Sequence, residues 1–183
     1  MTDKILSMIK NKYRLRSLDA GVFHKMVVRG MDFEVHSLEA VNFGRVATMR
    51  AKGLFGMIKR DLVIVSPLEK DVPVITYERV KAFGKDTLVL GRYDLQNEAK
   101  YIKKAGKKKQ SAEFDEVVEQ YFVDYMLEID GASEENVKVR KEKVETLVKG
   151  LIDEARLSSD IFMVTYGEKI TEKLYHQVMF GSR

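Results

Sequence analysis

Between residues 57 and 95 three apolar runs of strand length follow one another with turn chemistry between them, and this stretch constrains the rest of the chain. The first run is Asp61-Leu62-Val63-Ile64-Val65-Ser66, closed by Pro67. The second is Val72-Pro73-Val74-Ile75-Thr76-Tyr77-Glu78-Arg79-Val80, and the third is Thr87-Leu88-Val89-Leu90-Gly91-Arg92-Tyr93. All are rich in β-branched and aromatic residues and too short for a typical helix, so they read as consecutive strands of an antiparallel sheet. Gly84, followed by Lys85 and Asp86, supplies the turn before the third run.

On the N-terminal side, Ile5, Met8, Ile9 and Leu15 recur at helix-like spacing, which predicts an amphipathic first helix within residues 3 to 20, ended by Gly21. From Val22 to Met49 the pattern turns toward alternation, with Gly30 and Gly44 marking turns, and the total comes to about five to seven strands. Beyond Leu95, Lys100, Lys103, Lys104, Lys107, Lys108 and Lys109 crowd around Gly106, and like charges at that density read as a solvated loop or a frayed helix end. Phe114, Val117, Val118, Tyr121, Phe122, Tyr125 and Met126 then mark the buried face of a helix running to about Ile129 and stopped by Gly131. Ser133 with Glu134 and Glu135 is a capped start for the next helix, whose stripe includes Val144, Val148 and Leu151. A last helical segment opens near Ser159 and runs to Phe180. This order predicts one domain over residues 1–183, an α+β fold in which helices cover both faces of a central antiparallel sheet.

Composition sets limits on chemistry. With no cysteine the chain can form no disulfide, thiolate zinc site, iron–sulfur cluster or cysteine nucleophile of its own. The first residues carry an acid and have no long apolar core, and no apolar run approaches the length of a membrane span, so the expectation is a cytoplasmic protein with no membrane partner. A net charge of +4 permits an acidic partner, but 28 acids among 32 bases make a mixed surface, and no nucleic-acid module accompanies the lysine cluster.

The histidines, His24, His36 and His176, have no metal-ligand spacing among them, and no metal site is expected. No phosphate-binding glycine loop, dinucleotide fingerprint or nucleophile elbow is present. Glu78 stands out because it follows Val74, Ile75 and Tyr77 in a strand of buried character. Facing the interior, it would have its pKa raised by desolvation and could donate a proton near neutral pH; facing water, it would pair with Arg79 or Lys81. Asp94 is either a site residue at a strand end or a turn former.

These residues resemble those of the ferredoxin-dependent bilin reductases, which reduce linear tetrapyrroles made from haem. Val72-Pro73-Val74-Ile75-Thr76-Tyr77-Glu78-Arg79-Val80 is similar to that family's Pro-x-Phe-Gly-x-Asp-x-Val strand, and Arg92-Tyr93-Asp94-Leu95 to the following strand ending in Asp-Leu. Tyr166-Gly167-Glu168-Lys169 and Leu174-Tyr175-His176-Gln177-Val178-Met179-Phe180 resemble its closing helix. The likeness covers about two thirds of the chain. It implies a three-layer α/β/α sandwich, a pocket between the sheet and the C-terminal helices, and a linear tetrapyrrole or similar flat acidic ligand held without covalent attachment.

By the same resemblance, Glu78 takes the place of the catalytic aspartate, with Asp94 as a secondary candidate for orienting the ligand. Arg50, Lys52, Arg79 and Arg92 are the bases that would hold propionates through charge-assisted hydrogen bonds. Ferredoxin would supply electrons, docking on Lys107, Lys108 and Lys109. The family's histidine on the preceding strand would fall near Leu62 or Val63, where this chain has none, and Ile75-Thr76 replaces Phe-Gly. An alternative reading is therefore a non-catalytic ligand-binding or interaction domain of the same fold.

Overall fold

The computed structural model describes residues 1–40, 43–68, 72–95, 99–107, 110–129 and 137–183. Helix α1 (Thr2–Lys10) leads into strands β1 (Arg16–Leu18), β2 (Lys25–Val28), β3 (Met31–Ala40), β4 (Gly44–Gly53), β5 (Ile58–Pro67), β6 (Val74–Ala82), β7 (Lys85–Tyr93) and β8 (Lys100–Lys107). Helices α2 (Ser111–Ile129), α3 (Val137–Asp153), α4 (Ser159–Tyr166) and α5 (Glu168–Lys173) follow, and Leu174–Phe180 is wound as a π-helix. All eight strands join one antiparallel sheet, β1-β3-β4-β5-β6-β7-β8 with β2 also on β3.

Successive side chains along a strand point to opposite faces, so the sheet carries two cores. One gathers Met49, Leu62, Ile64, Val74 and Tyr93 against Val148 of α3, Phe162 of α4 and Tyr175 of the π-helix. The other gathers Val46, Val63, Ile75, Tyr77 and Leu90 against Ile5 and Ile9 of α1 and Phe114, Val118 and Phe122 of α2. The three-layer sandwich follows: α1 and α2 on one face, α3 to the π-helix on the other.

Four elements differ from the sequence reading. The first helix stops at Lys10 instead of extending toward Gly21, because Tyr13 stacks on Phe43 at 4.2 Å between centroids and residues 16–18 pair with β3. The turn before β7 is Phe83-Gly84, both at positive φ (50° and 79°), while Lys85 and Asp86 belong to the strand. The lysine-rich segment is an edge strand as far as Lys107, which raises the count to eight. Its lysines stay in solvent while its backbone pairs with β7, a charged edge being one way sheets avoid further pairing. Lys108 and Lys109, the Gly131 stop and the Ser133 cap lie outside the described residues. The final helical segment is broken at Gly167, whose φ of 80° suits glycine. Among the described residues no helix is long and apolar enough to cross a membrane.

Candidate functional site

Glu78 lies at the middle of β6, opposite Leu62 on β5 and Val89 on β7. It shares a face with Val74, which packs in the core formed with the C-terminal helices, and it is half-buried. The turn between α3 and α4 comes down onto it. Ala155, Leu157 and Ser158 of that turn all have positive φ, and the buried Tyr175 hydroxyl donates to the Leu157 carbonyl at 2.5 Å. This tight turn brings Ser158 Oγ to 3.5 Å from Glu78 Oε1. Arg60, two residues before Leu62 on the same face of β5, donates from Nη1 to Ser158 Oγ at 2.8 Å.

Opposing influences act on the Glu78 carboxyl. Burial raises its pKa above the ordinary glutamate range, and it prevails over the guanidinium groups of Arg60 and Arg156 and the Ser158 hydrogen bond; Asp160 adds to the rise. A carboxyl group whose acidity is weakened by burial beside two cations can release a proton to a bound partner and leave a carboxylate that those cations accommodate.

Next to this acid stands a group of rings. The Arg156 guanidinium lies over Tyr101 of β8 at 4.5 Å from the centroid, and Tyr101 meets Tyr93 edge to face at 5.8 Å. Gly91 of β7, between Thr76 and Tyr101 in register, leaves room for this arrangement. An added Cβ there would sit 2.6 Å from Thr76 Oγ1 and 2.8 Å from Tyr93 Oη. Beyond Tyr101 a cavity of about 380 Å³ opens between the strand ends and α3, lined by Asp94, Lys143, Thr146 and Glu154 among others. Asp94 therefore contributes to a cavity wall, five residues along β7 from Val89, which places it roughly 17 Å from Glu78 along the sheet.

The four bases expected around the acid lie elsewhere, on the face that packs on α1 and α2. Arg79 Nη2 donates to Asp86 at 2.7 Å and to the Ser111 carbonyl at 2.9 Å, with Asp115 on its other side. At 3 % and 0 % side-chain exposure, Arg79 and Asp86 form a buried ion pair committed to the core. Arg92 holds Glu128 of α2, and Arg50 holds Asp3 of α1 at 2.5 Å. Lys52 follows Arg50 by two residues and so shares its face, and both line a separate cavity of about 500 Å³ beside β2 and β3. The pleat explains the separation: Glu78 and these bases differ by an odd step in register. The cations that do act on Glu78 are Arg60 and Arg156, neither of them among the bases expected from the sequence. Arg60 could have been found by counting back two residues from Leu62, whereas Arg156 arrives on an irregular turn that leaves no periodic signal.

Of the two residues near which the resemblance would place a histidine, Leu62 is buried directly opposite Glu78, and Val63 points to the other core. His24, just before β2, and His36 of β3 meet edge to face at 5.0 Å, and His176 is buried against Ser182. Among the described residues no group of three histidines, cysteines or acids is placed to hold a metal. Of the lysines expected to dock an electron donor, Lys107 ends β8 at the sheet edge. Lys103 lies in the same cross-strand row as Glu78, beyond Val89.

An eight-stranded antiparallel sheet between two helical layers, with a desolvated acid on the side of the C-terminal helices, defines the class of this molecule as an α/β/α sandwich carrying an internal carboxylic acid. The same architecture is found in phytochromobilin synthase from tomato, whose crystal structure was solved in complex with biliverdin. The two superpose with a TM-score of 0.79 over 99 % of this chain and 82 % of that one, at 9 % sequence identity, a likeness of fold. Neither a family model nor a curated protein sequence matches the chain.

Proposed function

We propose that this single-domain chain binds a linear tetrapyrrole, or a similarly flat acidic ligand, without covalent attachment between the sheet and the C-terminal helices, and that Glu78 donates a proton to it during reduction by external electrons. The observation that carries this reading is the half-buried Glu78, its pKa raised by burial and its carboxyl flanked by Arg60 and Arg156, in a fold similar to that of a synthase solved with biliverdin.

The chemistry divides among the residues. Arg60 and Arg156 supply positive charge for the ligand's carboxylates, a contact favoured because charge-assisted hydrogen bonds are the stronger kind. Tyr93 and Tyr101 offer ring surface, and burial raises the Tyr93 hydroxyl's pKa so that it stays a neutral hydrogen-bonding group. Glu78 gives up its proton as the ligand accepts an electron, and its partial exposure allows solvent to restore the proton. The electrons come from a separate iron–sulfur donor of the ferredoxin class, since the chain has no cysteine to hold a cluster. The exposed lysines of β8 give an acidic donor a landing surface. Lys103 lies two strands from Glu78, about 10 Å away in the sheet.

Leu62 opposite Glu78 supports a second reading, in which the fold binds the ligand and no longer reduces it. Absorbance titration with biliverdin and with haem tests the binding common to both. A saturable spectral change at ligand concentrations up to tens of micromolar, about the scale of ordinary affinities, is expected. A flat response to both compounds rejects the tetrapyrrole assignment.

A further inference from the structure

One end of the sheet is level across its strands. Met31, Gly53, Ile58, Ala82, Lys85 and Lys107 form a single cross-strand row. Two of the three hairpin tips that project beyond that row carry large apolar side chains; the β2–β3 tip is Arg29-Gly30. Leu54, Phe55 and Met57 cap the β4–β5 hairpin and Phe83 caps the β6–β7 hairpin; Phe55 is fully exposed and Phe83 is 68 % exposed. Three of the four sit at left-handed φ, Leu54 at 46°, Phe55 at 53° and Phe83 at 50°. That region disfavours bulky L-residues, and Asn, Asp or Gly is the usual occupant. Neither the hairpin geometry nor the core accounts for a phenylalanine at either tip.

Directly beneath the tips, Lys52, Lys59 and Lys81 face one another on β4, β5 and β6. Like charges opposite each other on adjacent strands repel. Asp32 stands across from Lys52 at one end of this row. At the other end Asp86 lies 3.8 Å from Lys81, its charge already engaged by Arg79. Lys85 and Lys107 extend the positive charge along the end row. Apolar tips above a band of lysines are two independent features, and they point toward the same kind of surface.

We propose that this end of the sheet docks on an anionic lipid surface, the tips of β4–β5 and β6–β7 entering the headgroup region while the lysine band contacts the charged headgroups. Aromatic side chains favour the membrane–water boundary, and lysines near an anionic leaflet are drawn to it. A fluid bilayer fits separate convex tips spaced about 10 Å apart, whereas a stable protein interface takes one continuous complementary area of about 800 Å² per partner. Such docking needs no spanning segment; it places the protein on a membrane and not through it.

Flotation with lipid vesicles tests this. The parent protein is expected to float with phosphatidylcholine vesicles containing about 30 % phosphatidylserine and not with pure phosphatidylcholine, in about 0.1 M salt. Phe55→Asn with Phe83→Asn, which places at both tips a residue at ease in the left-handed region, is expected to keep the fold and weaken binding at least about tenfold. Replacing Lys52, Lys59 and Lys81 by glutamine is expected to weaken it on the order of 100-fold. The proposal is overturned if the parent ignores anionic vesicles. It is equally overturned if the double asparagine variant binds them as tightly as the parent, which would leave the lysine band to an acidic protein.

Discussion

Glu78 and Arg79 are consecutive in the chain and serve opposite faces of the sheet: the acid meets Ser158 beneath the C-terminal helices, while the base is locked to Asp86 and Asp115 beneath α2. One residue of strand thus separates a group available for chemistry from a group spent on the core. Removing one partner of a buried ion pair strands the other, so Asp86→Ala is expected to lower unfolding free energy by about 3–5 kcal/mol. Urea denaturation followed by circular dichroism measures it. Ligand binding by the folded fraction should be unaffected, because this pair is on the other side of the sheet.

That same one-residue alternation explains what could be read from the sequence and what could not. Strands β5, β6 and β7 were legible because their apolar runs are long and bounded by Pro67 and Phe83-Gly84, and the two helical layers were legible from stripes such as Phe114, Val118 and Phe122. β8 was hidden by its charge: Lys100, Lys103, Lys104 and Lys107 are tolerated because an edge strand needs only backbone pairing on one side. In the site, Glu78 is legible from its buried strand, but closeness in sequence is a poor guide to its bases, because strand parity sends Arg79 and Arg92 to the far face. Arg156 and Ser158 depend on a left-handed turn held by Tyr175 from the end of the chain, a long-range contact with no local pattern.

Acidity gives a second prediction. Burial raises the folded-state pKa of Glu78, so the folded protein holds this proton more tightly than the unfolded chain does. Stability from this group is therefore full below the unfolded value of about 4.3 and is lost as pH rises through the folded value. Glu78→Gln is expected to melt higher than the parent at neutral pH, with the difference shrinking toward zero below about pH 4. Thermal melts of both proteins across that range check it; a gap that widens on acidification would mean that Glu78 is stabilised as the carboxylate.

The turn over Glu78 can be tested through its anchor. Tyr175→Phe removes the donor to the buried Leu157 carbonyl and is expected to cost about 1–3 kcal/mol by leaving that oxygen unpaired. Because the turn also carries Ser158 and Arg156, ligand affinity should fall in the folded variant as well. Calorimetric titration and denaturation on the same sample separate the two effects.

Electron delivery predicts a salt signature. Changing Lys107, Lys108 and Lys109 to serine is expected to slow ferredoxin-driven turnover at low ionic strength and to have little effect near 1 M salt, where the screening length is about 3 Å. Stopped-flow rates at both salt levels decide it; equal rates for parent and variant at each level remove these lysines from docking.

Single-turnover reduction of bound biliverdin by Glu78→Gln decides whether Glu78 is the proton donor. The variant is expected to bind the pigment as the parent does, to accept electrons from the same donor, and to fail to form the reduced product. Formation of that product at the parental rate would contradict the assignment of Glu78 as the proton donor.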